Sequence, residues 1–356
     1  MKQLKNLVLI AVVAFTVVGV LPLSSVSAQS SASLSIAPKK SYVIEPGKSI
    51  EDKLAIRNID ANETLKLNLR VIDFTYTDDS GTPKLNLNQD TEPTPWSLRS
   101  YMEVPEIVTV KPGNSSTFDI SVAIPENLGA GSYYSAIIYS TTAPDGGNVG
   151  LSASGVTLVF VTVPGTVNES LTLKKFGAYN GNVSGLNGYR HFMMDEPRVI
   201  AYTLENKGNV TEAPVGTIKL KDMFGHEYTI NDVNPSKSLA LIGQTRTFQA
   251  CIKLNSQDVN FQGSKAEAST CTSPGLWPGY YSASIDIFYG QNGNNTQEIT
   301  KSTFFWYLPL WFLIVAGIVL LFVAYFIWRI VVMIRGGTFA LGGGSRRAKR
   351  APARRR

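Results

Sequence analysis

Hydrophobic positions in this chain follow two regimes, an alternating one over most of its length and a continuous one near each end. Between residues 34 and 305 there is almost no helical periodicity; short β-branched and aromatic runs are separated by Gly, Pro, Asn and Asp clusters. Leu65, Leu67, Leu69 and Val71 alternate with Lys66, Asn68 and Arg70, and Phe118, Ile120, Val122 and Ile124 alternate with Asp119, Ser121 and Ala123. A period of two sends successive side chains to opposite faces, so each run predicts a half-buried strand. Val156 to Val163 reads as a continuous apolar strand that Pro164-Gly165 ends. Many short strands punctuated by turn residues predict an all-β chain of two tandem immunoglobulin-like β-sandwich domains, 29–166 and 167–305. Each half is long enough for one core.

The continuous regime changes the picture. Leu308 to Trp328 holds 21 residues without a charge, roughly 30 Å as a helix, the thickness of a bilayer core. Trp306, Tyr307, Trp311 and Trp328 flank it, where amphipathic rings favour the headgroup level. The predicted transmembrane helix is 306–328. The tail 329–356 that follows carries nine Lys and Arg and no acid, which keeps it cytoplasmic. At the other end, Lys2 and Lys5 precede an apolar stretch, Leu7 to Leu21, and the small residues Val26-Ser27-Ala28. That pattern predicts a signal peptide, 1–28, cut between Ala28 and Gln29; an uncleaved anchor with two spans is the alternative. Both ends predict a single-pass type I membrane protein with its strand-rich part on the cell surface.

Charge means something only after this division. The formal net charge of +6 includes the nine cations of the tail and two of the leader, and the exported portion is left at about −5. A basic pI is therefore no argument for nucleic-acid binding, and none is expected. The basic tail reads as a topology signal and secondly as a contact for anionic lipid.

Two Pro-Gly turns, Glu45-Pro46-Gly47-Lys48 and Lys111-Pro112-Gly113-Asn114, predict type II turns before strands, because Pro presets φ and Gly accepts the positive φ that follows. Asn234-Pro235-Ser236-Lys237 is a weaker analogue that predicts a type I turn. A longer echo links the halves: Thr117-Phe118 with Thr247-Phe248, and Tyr133-Tyr134-Ser135-Ala136 with Tyr280-Tyr281-Ser282-Ala283. The second half holds a 17-residue insertion between these points, flanked by Cys251 and Cys271. In an exported domain the pair reads most simply as a disulfide. A metal pair or a reactive thiol is the alternative, with only His191 and His226 as histidines, far apart in sequence.

Catalysis finds no support. The chain contains no Gly-x-Ser-x-Gly, no His-Glu-x-x-His and no phosphate-cradling Gly loop. Asp78-Asp79-Ser80-Gly81 reads as a hairpin turn rather than a calcium loop, and Asp145-Gly146-Gly147-Asn148 as a mobile loop. No enzyme activity, metal or cofactor is expected.

Residues 34–165 resemble the extracellular N-terminal domain of membrane-anchored bacterial surface proteins of the WxL-interacting type. The likeness runs through Ile44-Glu45-Pro46-Gly47, Leu65 to Tyr76 with its Asp79-Ser80-Gly81 turn, Trp96, Val110-Lys111-Pro112-Gly113, Ile124-Pro125 and Gly131-Ser132-Tyr133-Tyr134. The resemblance implies a non-enzymatic surface role, with peptidoglycan or a wall protein as partner. The expected function is thus a binding or scaffold protein of the cell surface, with Trp96, Tyr101, Trp277 and Tyr280 as candidate contacts. The alternative is a membrane-bound chaperone-like or envelope-assembly subunit whose open sheet edge accepts a strand.

Overall fold

The structure, a computed structural model, describes residues 34–77, 81–88, 90–141, 153–183, 185–261, 264–290 and 296–339. The expected signal peptide with its Ala28–Gln29 cut, the expected turn at Asp78-Asp79-Ser80, the Gly-rich stretch 145–148 and residues 340–356 lie outside these residues.

Eleven strands precede Pro164: β1 (Leu34–Ile36), β2 (Lys39–Val43), β3 (Ser49–Asn58), β4 (Leu65–Ile72), β5 (Phe74–Tyr76), β6 (Pro83–Leu85), β7 (Met102–Glu103), β8 (Ile107–Val110), β9 (Ser115–Ala123), β10 (Gly131–Thr141) and β11 (Ala153–Val163). They make a sheet β1-β3-β9-β7 packed on a sheet β2-β11-β10-β4-β8, with the β5-β6 hairpin at the side. Leu67, Leu69, Phe118, Ile120 and Val122 lie buried between the sheets, which is what their alternation predicts. The chain changes sheets at Ala37-Pro38: β1 is antiparallel to β3, whereas β2 runs parallel to β11.

Ten strands follow: β12 (Leu171–Tyr179), β13 (Phe192–Met193), β14 (Val199–Asn206), β15 (Val215–Asp222), β16 (Glu227–Ile230), β17 (Thr245–Cys251), β18 (Leu254–Phe261), β19 (Ser264–Cys271), β20 (Gly279–Tyr289) and β21 (Gln297–Tyr307). They form a sheet β12-β14-β17 packed on a sheet β13-β21-β20-β15-β16 around a second core that includes Tyr202, Phe248, Tyr281 and Phe305. Strands before Pro164 pair only with one another, as do strands after Ser170. The insertion folds as the β18-β19 hairpin, and Cys251 and Cys271, the last residues of β17 and β19, are joined by a disulfide across a Cα separation of 5.1 Å.

The two expected type II turns form, with Gly47 at φ +77° and Gly113 at φ +66°, each leading into a strand. The third analogue is displaced. Asn234-Pro235-Ser236-Lys237 closes with a Lys237 N–H···O=C Asn234 bond but opens no strand. The counterpart of Gly113 is Gly243 at φ +68°, in the turn Leu241–Gln244 that leads into β17. The tyrosine echo also shifts by one residue. Gly131 and Gly279 open β10 and β20 with φ of +151° and +153°, which sets Tyr133 against Tyr281. Both hydroxyls donate to the carbonyl four residues earlier, Tyr133 to Gly129 at 2.8 Å and Tyr281 to Trp277 at 2.7 Å. A one-residue shift in a strand exchanges its faces, so Tyr134 and Tyr281 point into different layers.

Tyr134 points toward the second sandwich. Ile72, Phe74, Tyr134, Ile138 and Phe160 form one buried cluster with Leu241 and Ile242 of that second half. Around it, Arg246 Nη1 donates to the Tyr76 hydroxyl at 2.9 Å, the Tyr76 N–H donates to Gln244 Oε1 at 3.0 Å, and the Ser132 N–H donates to Asn209 O at 3.0 Å.

The helix α1 runs Leu310–Phe339, and its segment Leu310–Arg335 is long and apolar enough to cross a membrane. The expected start at residue 306 is corrected. Trp306 and Tyr307 finish β21, because the Trp306 N–H donates to His191 O at 2.7 Å and the Leu308 N–H to Met193 O at 2.8 Å. Pro309 has no N–H to extend this ladder. Its carbonyl accepts from Phe312 and Leu313 and starts the helix. The helix also continues past Trp328, since no Gly or Pro interrupts the residues from Arg329 to Arg335.

Candidate functional site

The second sandwich carries its longest open backbone edge on β21. All eleven residues of β21 pair with β20 on one side, but on the other side, among the described residues, only Trp306 and Tyr307 meet a strand, β13. Within a strand, successive N–H and C=O groups alternate between the two sides. The Trp306 N–H and the Phe304 carbonyl both face outward, the first toward His191 O and the second accepting from His191 Nδ1 at 3.1 Å. The same parity turns the N–H and C=O of Glu298, Thr300 and Ser302 outward, and among the described residues none of these backbone groups has a partner. An exposed row of this kind is a template for one more strand.

Beside this row runs β12 of the facing sheet, near enough that Gly177 lies against the Thr303 side chain. A groove of about 250 Å³ lies between β21 and β12, itself an edge strand with a register break between Leu173 and Lys175. Its floor includes Phe176, Gly177, Tyr189 and Thr303, and its rim carries Lys174, Lys175, Arg190, His191 and Lys301. Lys174 and Lys207 share Glu205 at 3.2 and 3.4 Å, and they hold its carboxyl below the usual range. Lys175 rests 5.2 Å over the Tyr189 ring and donates to Leu186 O, while Arg190 donates to Asn187 O. No carboxylate lines the groove. Its rim is cationic, whereas residues 29–305 as a whole carry more Asp and Glu than Lys and Arg.

A second cleft, of about 330 Å³, lies where the sandwiches meet and is lined from both sides by Lys39, Phe160, Ser132, Thr211, Glu212 and Leu239 among others. Glu212 is 2% exposed; its Oε2 accepts from the Gly290 N–H at 3.2 Å, and its Oε1 has no partner among the described residues. Burial, and then the nearby Glu169 carboxylate, push its pKa up to about 7.

The aromatic candidates separate. Trp96 is half-buried at the junction and stacks on Tyr134 with ring centroids 6.2 Å apart. Tyr101 is half-buried against the first core. Tyr280 lies on the outer face of β20 between Phe304 and Trp306, at 5.8 and 5.4 Å. Trp277 is 65% exposed in the loop before β20. The four are not brought together. An open sheet edge was part of the alternative reading, but its place on β21 was not foreseen, because Gln297–Lys301 is mostly polar and nothing local marks which strand lacks a neighbour. Among the described residues no group of three His, Cys, Asp or Glu is placed to hold a metal ion.

No family model matches this sequence, and no curated protein matches it. Solved structures do. The class 5 fimbriae chaperone CfaA matches with a TM-score of 0.34 at 12% identity, over 78% of this chain and 100% of that one. The Escherichia coli chaperone DraB matches at 0.32 and 12%, over 76% and 98%. The Salmonella enterica complex of SafA pilin with the SafB chaperone matches at 0.33 and 9%, over 76% and 96%. These neighbours are chaperones, the class expected second, and none is a WxL-interacting protein. At such TM-scores the likeness carries no weight for function.

Proposed function

We propose that this chain is a membrane-anchored, non-catalytic envelope-assembly protein that holds an extended segment of an exported polypeptide by strand addition at β21. One observation carries the reading: the outward N–H and C=O groups of Glu298, Thr300 and Ser302 lie unpaired beside an open groove. An incoming strand would gain main-chain hydrogen bonds there, while alternate side chains enter the groove. The cationic rim selects segments that carry Asp or Glu at those positions. The anchor is α1, with the preceding sandwiches exported and the basic tail inside. The wall-contact reading has less support, since Trp96 and Tyr101 are occupied in packing.

The test uses the full chain in its own membrane, with a photo-crosslinking residue at Lys301. Capture of an exported protein through an extended acidic segment is expected. Ser302→Pro removes one outward N–H and leaves the β20 ladder intact, a change that edge strands tolerate. It should lower capture at least tenfold, whereas Ser302→Ala should not. Equal capture by the proline variant, or capture of glycan alone, would overturn the reading.

A further inference from the structure

The end of the second sandwich from which the chain enters α1 exposes five large apolar side chains: Phe192 at 68%, Met194 at 65%, Met223 at 57%, Phe224 at 65% and Trp277 at 65%. They come from three separate loops. Phe192 pairs with Trp306 at the close of β21, and Leu308 is tied to Met193. The Met223 N–H donates to Tyr280 O, and the Met223 Sδ lies against Gly279, the residue that pairs with Tyr307. Trp277 stands two residues before Gly279. All three loops therefore sit level with the end of β21.

Two of these segments are tied by side-chain hydrogen bonds. Asp222, 6% exposed, accepts from the N–H groups of Phe224 and His226 at 2.8 Å each, and its second oxygen meets His226 Nδ1 at 2.7 Å. Glu196 accepts from the Leu276 N–H at 2.6 Å and from the Ser273 hydroxyl, and the Trp277 carbonyl is tied to the Tyr281 hydroxyl. The backbone on which Phe224 and Trp277 sit is thereby tied to the domain, and both side chains are exposed. In water such a rim would be an exposed apolar patch without a purpose.

Only Leu308 and Pro309 separate β21 from the helix. Two residues span at most about 7 Å, so the rim cannot stand clear of the surface that α1 enters. We infer that Phe192, Met194, Met223, Phe224 and Trp277 embed in the interfacial layer of the bilayer and hold the ectodomain at one tilt. Aromatic and Met side chains suit that depth, where one end is apolar and the other wet. This inference rests on α1 being a membrane span.

The test is depth quenching with the full chain in lipid nanodiscs. The native cysteines are bridged, so Phe224→Cys, Trp277→Cys, Lys48→Cys and Leu320→Cys each offer a single thiol for an environment-sensitive fluorophore. Lipid nitroxides placed near the headgroups should quench labels at 224 and 277 strongly and blue-shift their emission, while the label at 48 stays as in water. A second set of lipid nitroxides placed deep in the acyl chains should quench the label at 320, about 15 Å along the helix. Deep quenching at 320 with labels at 224 and 277 matching that at 48 overturns the rim and leaves the anchor standing, and a label at 320 that neither quencher reaches overturns both.

Discussion

Asn58 and Asn206 occupy equivalent places in the two sandwiches, each wholly buried at the end of a strand. The Asn58 side-chain amide donates to the Glu63 and Val110 carbonyls at 2.7 and 3.2 Å, and that of Asn206 to Val210 and Ala240 at 2.7 and 2.9 Å. Each side-chain oxygen accepts from the N–H two residues on, at Asp60 and Gly208. With Gly113 matched to Gly243 and Phe118 to Phe248, the chain contains one module twice. Replacing Asn206 with Ala strands three buried polar groups and should cost about 2–4 kcal/mol, whereas Asn58→Ala strands one buried and two part-buried groups and should cost about 1–3 kcal/mol. Urea unfolding with segment-resolved hydrogen exchange should place the loss mainly in the sandwich that carries the change.

The junction turns on Arg246. Its guanidinium lies 4.8 Å from the Tyr76 ring centroid and donates to the Tyr76 hydroxyl and to Leu239 O at 2.9 and 2.6 Å. Arg246→Ala should weaken the contact between sandwiches by about 1–3 kcal/mol. X-ray scattering from the purified full chain in nanodiscs should show a wider spread of inter-sandwich distances. An unchanged profile would mean that the apolar cluster alone fixes the angle.

The disulfide closes the β18-β19 hairpin at its base. Replacing Cys251 and Cys271 together with Ser should lower the stability of the second sandwich by up to roughly 3 kcal/mol on the chain-entropy model. Hydrogen exchange should speed first in Leu254–Cys271 and leave the first sandwich unchanged.

Glu212 should make stability depend on pH with a definite sign. Its pKa lies at about 7 in the folded chain against an ordinary 4.5, so the native state binds the proton more tightly. Stability should fall as pH rises from about 4.5 to about 7 and then level off. The span of that fall is on the order of 3 kcal/mol. Glu212→Gln keeps an acceptor for Gly290 and carries no charge. It should flatten this part of the curve and be more stable than the parent at pH 8, as read by denaturant titration across pH.

Much of the architecture was legible in residue order because its causes are local. Alternation marked β4 and β9, an unbroken apolar run marked β11, and Pro-Gly pairs marked the turns at Gly47 and Gly113. The apolar run after Leu308 marked the helix, and two cysteines flanking an insertion marked the bridge. Where tertiary pairing competes with local pattern, residue order misled: Trp306 and Tyr307 look like the edge of a membrane span, yet their backbones complete β21. The tyrosine echo was misaligned by one residue because identity of letters does not encode which face of a strand a side chain occupies.

The partners of Asn58 lie up to 52 residues away and those of Asn206 up to 34, so only the folded chain reveals the repeated network. The same holds for the open edge of β21, the positive groove beside β12 and the apolar rim around α1. Each is a property of what stands next to a residue in space, or of what does not. Sequence by itself determined which segments are strands, turns and the long apolar helix, since steric preference and apolar patterning act within a few residues. Which strand edge stayed unpaired, and which side chains met at one end, was decided only by tertiary structure, because hydrogen-bond partners and solvent exposure are assigned when distant segments pack.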